Sequence, residues 1–235
     1  NEQMNNFFLN SKKCNRLINP ISADLGVLRS SIFSNLVEKV KENIDRGENN
    51  IALFEVGPVF DGINPGEQVI NATAISVGYA VNPNWNEKKR LLDVFDVKRD
   101  LIHILNELGT IEDEIEIETS NLPNYFHPGK SGNISYSNNP NNHFASFGEL
   151  HPNIVNQLEV KTDSMVGFEI NLDKYVKLKG LNKKIKNVYK FSEYQKSERD
   201  FAFIVDKNIK AQELLKLIKN VDSTMIKDIS IFDLY

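Results

Sequence analysis

Cysteine is almost missing from this chain of 235 residues, where Cys14 stands alone. One thiol excludes an internal disulfide framework and suits a reducing, cytoplasmic compartment; Cys14 itself reads as an ordinary thiol. Long apolar runs are missing too. Nothing approaches the roughly 18 apolar residues of a membrane span. The Asn-rich start lacks the basic-then-apolar pattern of a secretory signal. Arginine is scarce, at six against 22 lysines. We read this as the coding bias of an AT-rich genome, which weakens any lysine run as a nucleic-acid signal. The net charge of −4 excludes a generally basic surface, so any nucleic-acid contact must be local.

The common signatures of chemistry are also absent. Gly129-Lys130-Ser131 ends like a phosphate-binding loop, but the glycine needed five positions before Gly129 is Asn124, and no helical pattern follows. A turn entering a strand at Asn133 is the better account. The four histidines, His103, His127, His143 and His151, contain no i, i+4 pair of the helical zinc type. His103 lies near an apolar helical stripe and reads as structural. No Gly-x-Ser-x-Gly elbow exists, and Cys14 has no base nearby, which argues against covalent catalysis. Asp96 and Asp100 share a helix face with Lys98 and Arg99 between them, so Asp93, Asp96 and Asp100 read as a solvated face. Arg199, in Ser197-Glu198-Arg199-Asp200, stands out where arginine is rare. It is suited equally to a phosphate and to a structural ion pair.

What is present is an ordinary globular pattern, 40% hydrophobic and 26% charged. Residues 1–18 are polar and irregular. Ser30 or Ser31 caps a helix whose apolar face is Phe33, Leu36, Val37, Val40 and Ile44, ended by Gly47. Strands follow at Ile51–Val56 and Thr73–Ala80. Asp93 or Asp96 opens a second helix with the stripe Val97, Leu101, Ile104, Leu105 and Leu108, closed by Gly109. The alternation of Glu and Ile over Glu114–Glu118 predicts a half-buried strand. Asn133–Ser137 and His143–Phe147 flank an Asn/Pro turn. Pro152 starts a short helix, and Met165–Ile170 makes a further strand. These elements predict a largely antiparallel α+β sheet. Lys177–Lys190, with six lysines and little periodicity, reads as a linker. Beyond it come a strand at Phe201–Val205, a helix around Leu214, Leu215, Leu217 and Ile218, and a strand at Ile226–Leu234. Two strands and a helix bury too little to stand alone, so this last part reads as truncated. The start on Asn1 points the same way, to a piece of a longer protein. No internal repeats appear.

Several blocks carry a resemblance. Residues 19–31, "NPISADLGVLRSS", and then "LFEVGPVF" up to Asp61, resemble the catalytic-like module in the β subunit of bacterial phenylalanyl-tRNA synthetases. "DVFDVKRDLIHIL", "FHPGKSGNI", "FGELHPNI", "YQKSERDFAFIVD" and "IKDISIFDLY" continue it in the family's order to Tyr235. The resemblance implies a class II synthetase-like antiparallel sheet with flanking helices over 19–176, a linker over 177–190, and the first half of a ferredoxin-like anticodon-binding domain over 191–235. It departs from working class II enzymes where it matters. Pro58 stands at the first arginine-bearing position of the strand. Asp61 stands at the last, where an arginine would grip the ATP α-phosphate and a carboxylate would repel it. Arg99 replaces a common glycine, and no glycine-rich motif 3 with its arginine is present.

The resemblance therefore implies a non-catalytic scaffold. It would dock the α subunit in an α2β2 tetramer that charges tRNA(Phe) with phenylalanine, using ATP and Mg2+ bound elsewhere. No catalytic, cofactor or metal residues carry over. Lys196, Arg199 and Lys207, cations near the start of the anticodon domain, are the candidates for tRNA contact. Two rival readings remain at this point: an active class II ATP-dependent ligase, and a free-standing RNA-binding module.

Overall fold

Alternating apolar and polar residues become an antiparallel sheet in the computed structural model, which describes residues 6–8, 15–22, 25–64, 66–81, 84–180, 193–222 and 224–234. The chain divides into two units, 1–185 and 186–235. In the first, a small pair of strands, β1 (Asn15–Arg16) and β2 (Val27–Leu28), precedes helix α1 (Phe33–Asp45). A long hairpin follows, β3 (Ile51–Phe60) with β4 (Gln68–Val77). Strands β5 (Tyr79–Val81) and β6 (Arg90–Leu91) pair ahead of helix α2 (Val94–Glu107). Strands β7 (Ile115–Glu118), β8 (Phe126–Tyr136) and β9 (Ala145–Leu150) form a meander. Helix α3 (Pro152–Gln157), strand β10 (Met165–Asn171) and helix α4 (Leu172–Lys179) complete the unit. The main sheet has six strands in the order β3-β4-β10-β9-β8-β7. Every pairing in it is antiparallel, as the α+β expectation required.

Helices cover both faces of the sheet, and each burial has a periodic cause. Phe33, Leu36, Val37 and Val40 of α1 pack on Ile51, Val59, Ile75, Val77 and Met165. Val97, Leu101, Ile102 and Leu105 of α2 pack on Phe147, Val166, Phe168 and Ile170. Each such side chain contributes about 1.5–3 kcal/mol on leaving water. Asp93 and Asp96 form a reciprocal capping box that starts α2. Ser31 Oγ accepts the Phe33 N–H at 3.1 Å at the start of α1. Gly47 and Gly109 follow the two helices at φ of 96° and 82°, the left-handed turn that glycine takes without strain. Gly167 of β10 lets α1 approach closely. A Cβ there would lie 2.7 Å from the Phe33 ring and 2.6 Å from the Ala74 carbonyl oxygen.

Some expectations need correcting. The polar N-terminal stretch supplies Phe8, only 2% exposed, whose ring packs on those of Phe33 and Tyr125 at 5.9 and 5.4 Å. The α2 stripe is rotated: Ile102 is buried, whereas Ile104 and Leu108 are exposed and His103 faces solvent. Gly129-Lys130-Ser131 lies inside β8 rather than in a turn before it, where the pairing with β9 shifts register between Phe126 and Ser131. Such a bulge bends the strand without ending it. Lys177 and Lys179 belong to α4, while 181–192, most of the expected linker, and Cys14 lie outside the described residues.

In the second unit, α5 (Ala211–Val221) forms as expected. The strands expected at Phe201–Val205 and Ile226–Leu234 do not, since no described residue there has a ladder partner. Alternation specifies a face, but a strand exists only through a neighbour's hydrogen bonds. Phe201 and Ile204 are accordingly wide open.

Candidate functional site

Polar side chains of the first unit collect in one line across the sheet. Register sets Glu55, Thr73, Glu169, Ser146, Asn133 and Glu118 opposite one another over all six strands, on the face that carries α1. A polar row on a half-covered face must find partners or lose stability. Glu169, half-buried, accepts from Ser31 Oγ at 3.1 Å and Thr73 Oγ1 at 3.0 Å. Burial pushes its carboxyl above the usual range, against the pull of hydrogen bonds from Asn71, Thr73, Ser31 and the Ile32 N–H. Ser146 Oγ donates to Asn133 Oδ1 at 2.7 Å, and Asn133 Nδ2 reaches the carbonyls of Ser120 and Asn121. His143 Nε2 lies 3.2 Å from Glu118 Oε2. At the far end, Arg29 Nη1 meets Glu55 Oε1 at 2.5 Å and Arg29 Nε donates to the Pro58 carbonyl at 2.9 Å.

The remaining candidates are engaged structurally. Lys130 Nζ pairs with Glu149 Oε2 at 2.7 Å, and Ser131 Oγ donates to the His127 carbonyl at 2.6 Å, so neither reaches toward a nucleotide. His127 and His151 each accept a backbone N–H on Nδ1, from Gly129 and Asn153. Asp96 overturns the solvated-face reading. Its side chain is 4% exposed, and both of its oxygens take a guanidinium N–H of Arg90, at 2.7 and 2.8 Å. That fork holds the Asp96 carboxyl below the usual range. Asp100 stays exposed beside Arg99. Among the described residues no group of three or more His, Cys, Asp or Glu is gathered to hold a metal ion, and no helix is long and apolar enough to cross a membrane.

The three tRNA candidates lie in the second unit, all exposed. Lys196 Nζ pairs with Glu198 Oε1 at 2.8 Å, which raises the Lys196 pKa, and Arg199 Nη1 donates to the Glu198 carbonyl at 2.8 Å. Glu198 thus draws two of them together, while Lys207 stands in the turn that precedes α5. Sequence reasoning missed Glu169 and the pairing of Arg29. An acid inside the apolar run Met165–Ile170 was the available signal for the first. The scarcity of arginine was the signal for the second.

The family model described as "Phenylalanyl tRNA synthetase beta chain CLM domain" matches residues 1–172. The chain belongs to this family of synthetase β chains. A second model, "Ferredoxin-fold anticodon binding domain", matches residues 192–235. Among curated relatives, the phenylalanine–tRNA ligase β subunit of Paramagnetospirillum magneticum is 37% identical over 219 residues, 93% of this chain and 27% of that one. The β subunit of Rhodospirillum rubrum is 36% identical with the same coverage. The chain therefore spans about a quarter of the length of the curated relatives it matches. Among solved structures, a pyrrolysyl tRNA synthetase of Desulfitobacterium hafniense aligns over 66% of this chain and 51% of its own, with a TM-score of 0.44 and 14% identity.

ATP and Mg2+ are what the resemblance assigns to other parts of the enzyme, and two features of this segment bear on a phosphate site here. Asp61, exposed just past β3, is a carboxylate where a phosphate would need a cation. Each member of the polar row is already held by another side chain or by the backbone.

Proposed function

We propose that this chain is a segment of a phenylalanine–tRNA ligase β subunit and works there as a non-catalytic scaffold. Residues 19–176 form the docking module, 177–190 join it to the next part, and 191–235 belong to the anticodon-binding domain. The α subunit, in an α2β2 assembly, would carry the ATP- and Mg2+-dependent charging of tRNA(Phe), in the cytoplasm. The observation that carries the reading is the family match over 1–172 combined with a sheet face whose polar row is satisfied within the chain. For RNA contact, Lys207 is better placed than Lys196 and Arg199, because Glu198 competes with phosphate for those two.

For the contact with the α chain we assign the uncovered face of β3. Phe54 and Val56 are 81% and 56% exposed there, an apolar pair on an outermost strand. The test is co-purification with the cognate α subunit, with mass read by light scattering. A mixed complex that survives in the parent and is lost in Phe54→Ser/Val56→Ser, with unchanged circular dichroism, is the expected result. Tight ATP binding by the isolated chain in calorimetry would overturn the non-catalytic reading. Retention of the complex by the double variant would overturn the assigned surface.

A further inference from the structure

The short segment Arg29-Ser30-Ser31, between β2 and α1, touches the polar row at two points. Ser31 reaches Glu169 on the inner strand β10, and Arg29 reaches Glu55 on the outermost strand β3. The second contact has the features of ligand recognition. Arg29 Nη1 lies 2.5 Å from Glu55 Oε1, Nε donates to the Pro58 carbonyl at 2.9 Å, and the Arg29 carbonyl accepts the Phe60 N–H at 2.9 Å. The side chain is only 19% exposed. Gly57 lies directly beneath it: a Cβ at that position would come within 2.5 Å of Arg29 Nη2. Asn71, the register partner of Gly57, carries a buried side-chain oxygen with no partner among the described residues.

We propose that β3 carries a guanidinium-binding niche, made by the Glu55 carboxylate, the Pro58 carbonyl and the bare backbone of Gly57, and that Arg29 is its built-in occupant. The rigid plane of the Arg29 guanidinium reaches the Glu55 carboxylate through Nη1 and the Pro58 carbonyl through Nε, two fixed points that an ammonium would have to serve from a single nitrogen. Gly57 supplies the room: a Cβ there would meet Nη2, and the flexible Arg29 side chain could yield only by moving off the Glu55 carboxylate and the Pro58 carbonyl. An exposed ion pair between flexible side chains has no such requirement and contributes little. The niche turns the segment into a latch. Arg29 ties it to the sheet edge by side chain and backbone together, while Ser31 ties the same segment to Glu169 and the start of α1. The Glu55–Pro58 stretch of β3 is therefore occupied by the chain's own cation. This goes beyond the scaffold reading and does not depend on the α subunit or tRNA.

Chemical rescue tests it. Arg29→Ala should unfold at a lower temperature than the parent. Ethylguanidinium at tens of millimolar, too dilute to denature, should restore part of that loss, whereas ethylammonium at the same concentration should not. The parent should gain from neither. Arg29→Lys, which keeps the charge and loses the fork, should resemble Arg29→Ala. Gly57→Ala should destabilise the parent but have much less effect in the Arg29→Ala background, because the group it displaces is gone. Additive effects of the two substitutions would overturn the proposal, as would equal rescue by both cations, no rescue at all, or parent-like stability of Arg29→Lys.

Discussion

Two carboxylates held under the sheet and its helices respond oppositely to pH, and the cause lies in their partners. Asp96 is gripped by the Arg90 fork, so its carboxyl sits below the usual range. Its stabilising contribution is present above the unfolded value of about 4 and disappears as pH falls through the lower folded value. Glu169 has neutral donors only, and burial lifts its carboxyl. Its contribution is full below about pH 4 and disappears as pH rises through the raised folded value. The two substitutions should therefore tilt the pH profile of urea unfolding in opposite senses. Relative to the parent, Asp96→Asn should lose ground as pH rises up to about 4 and stay level above it, while Glu169→Gln should gain ground as pH rises past about 4. The Asp96→Asn loss at neutral pH should be about 1–2 kcal/mol, trimmed because Arg90 is 48% exposed. Asp96 was legible as a helix opener but not as a buried ion pair, and Glu169 was missed. Asp96 sits among Lys98, Arg99 and Asp100 in sequence, and only the fold brings Arg90 back across the helix start to bury it.

Helices were more legible than strands because their order is local. The α1 face, Phe33, Leu36, Val37 and Val40, follows from 3.6-residue spacing alone, and Gly47 marks its end. The α2 stripe was misjudged by part of a turn because Ile102, Ile104 and Leu108 are all apolar, and only contact with β9 and β10 selects among them. The polar row could not be read at all, since its members are spread from Glu55 to Glu169 and meet only through pairing register. The same dependence on register makes the approach of α1 to the sheet sensitive to one methyl group. Gly167→Ala would drive a Cβ against the Phe33 ring and the Ala74 carbonyl, with Gly148 of β9 as its register partner. The expected destabilisation is about 1–3 kcal/mol, measured by denaturant midpoint at unchanged slope.

Over the whole molecule the two units differ in how their backbone is satisfied. In the first, β4 and β10 have neighbours on both sides, while in the second Phe201–Val205 has no ladder among the described residues. Hydrogen exchange should show this directly. Amides of Ile75, Gly167 and Phe168 should be the slowest, and those of Phe201–Val205 should exchange at near-unprotected rates in the isolated chain. Strong independent protection of Phe201–Val205 would mean that this segment pairs on its own. Family membership was legible from short blocks spread along the chain. The self-contained chemistry of the sheet face was not, because it is a property of the assembled sheet.

The central position of β10 has a kinetic consequence. It is the last strand of the sheet in sequence, yet it lies between β4 and β9. Before it arrives, the β3–β4 hairpin and the β7–β8–β9 meander are two separate ribbons, each with a naked inner edge. Residue 166 must find Ser76, some ninety positions back, and Glu149, close by, in one insertion. Contacts of such separation close slowly. A ribosome making this chain would thus extrude most of the sheet before any of it could be sealed, and the inner edges of β4 and β9 are where a nascent copy would be most exposed to pairing with another chain.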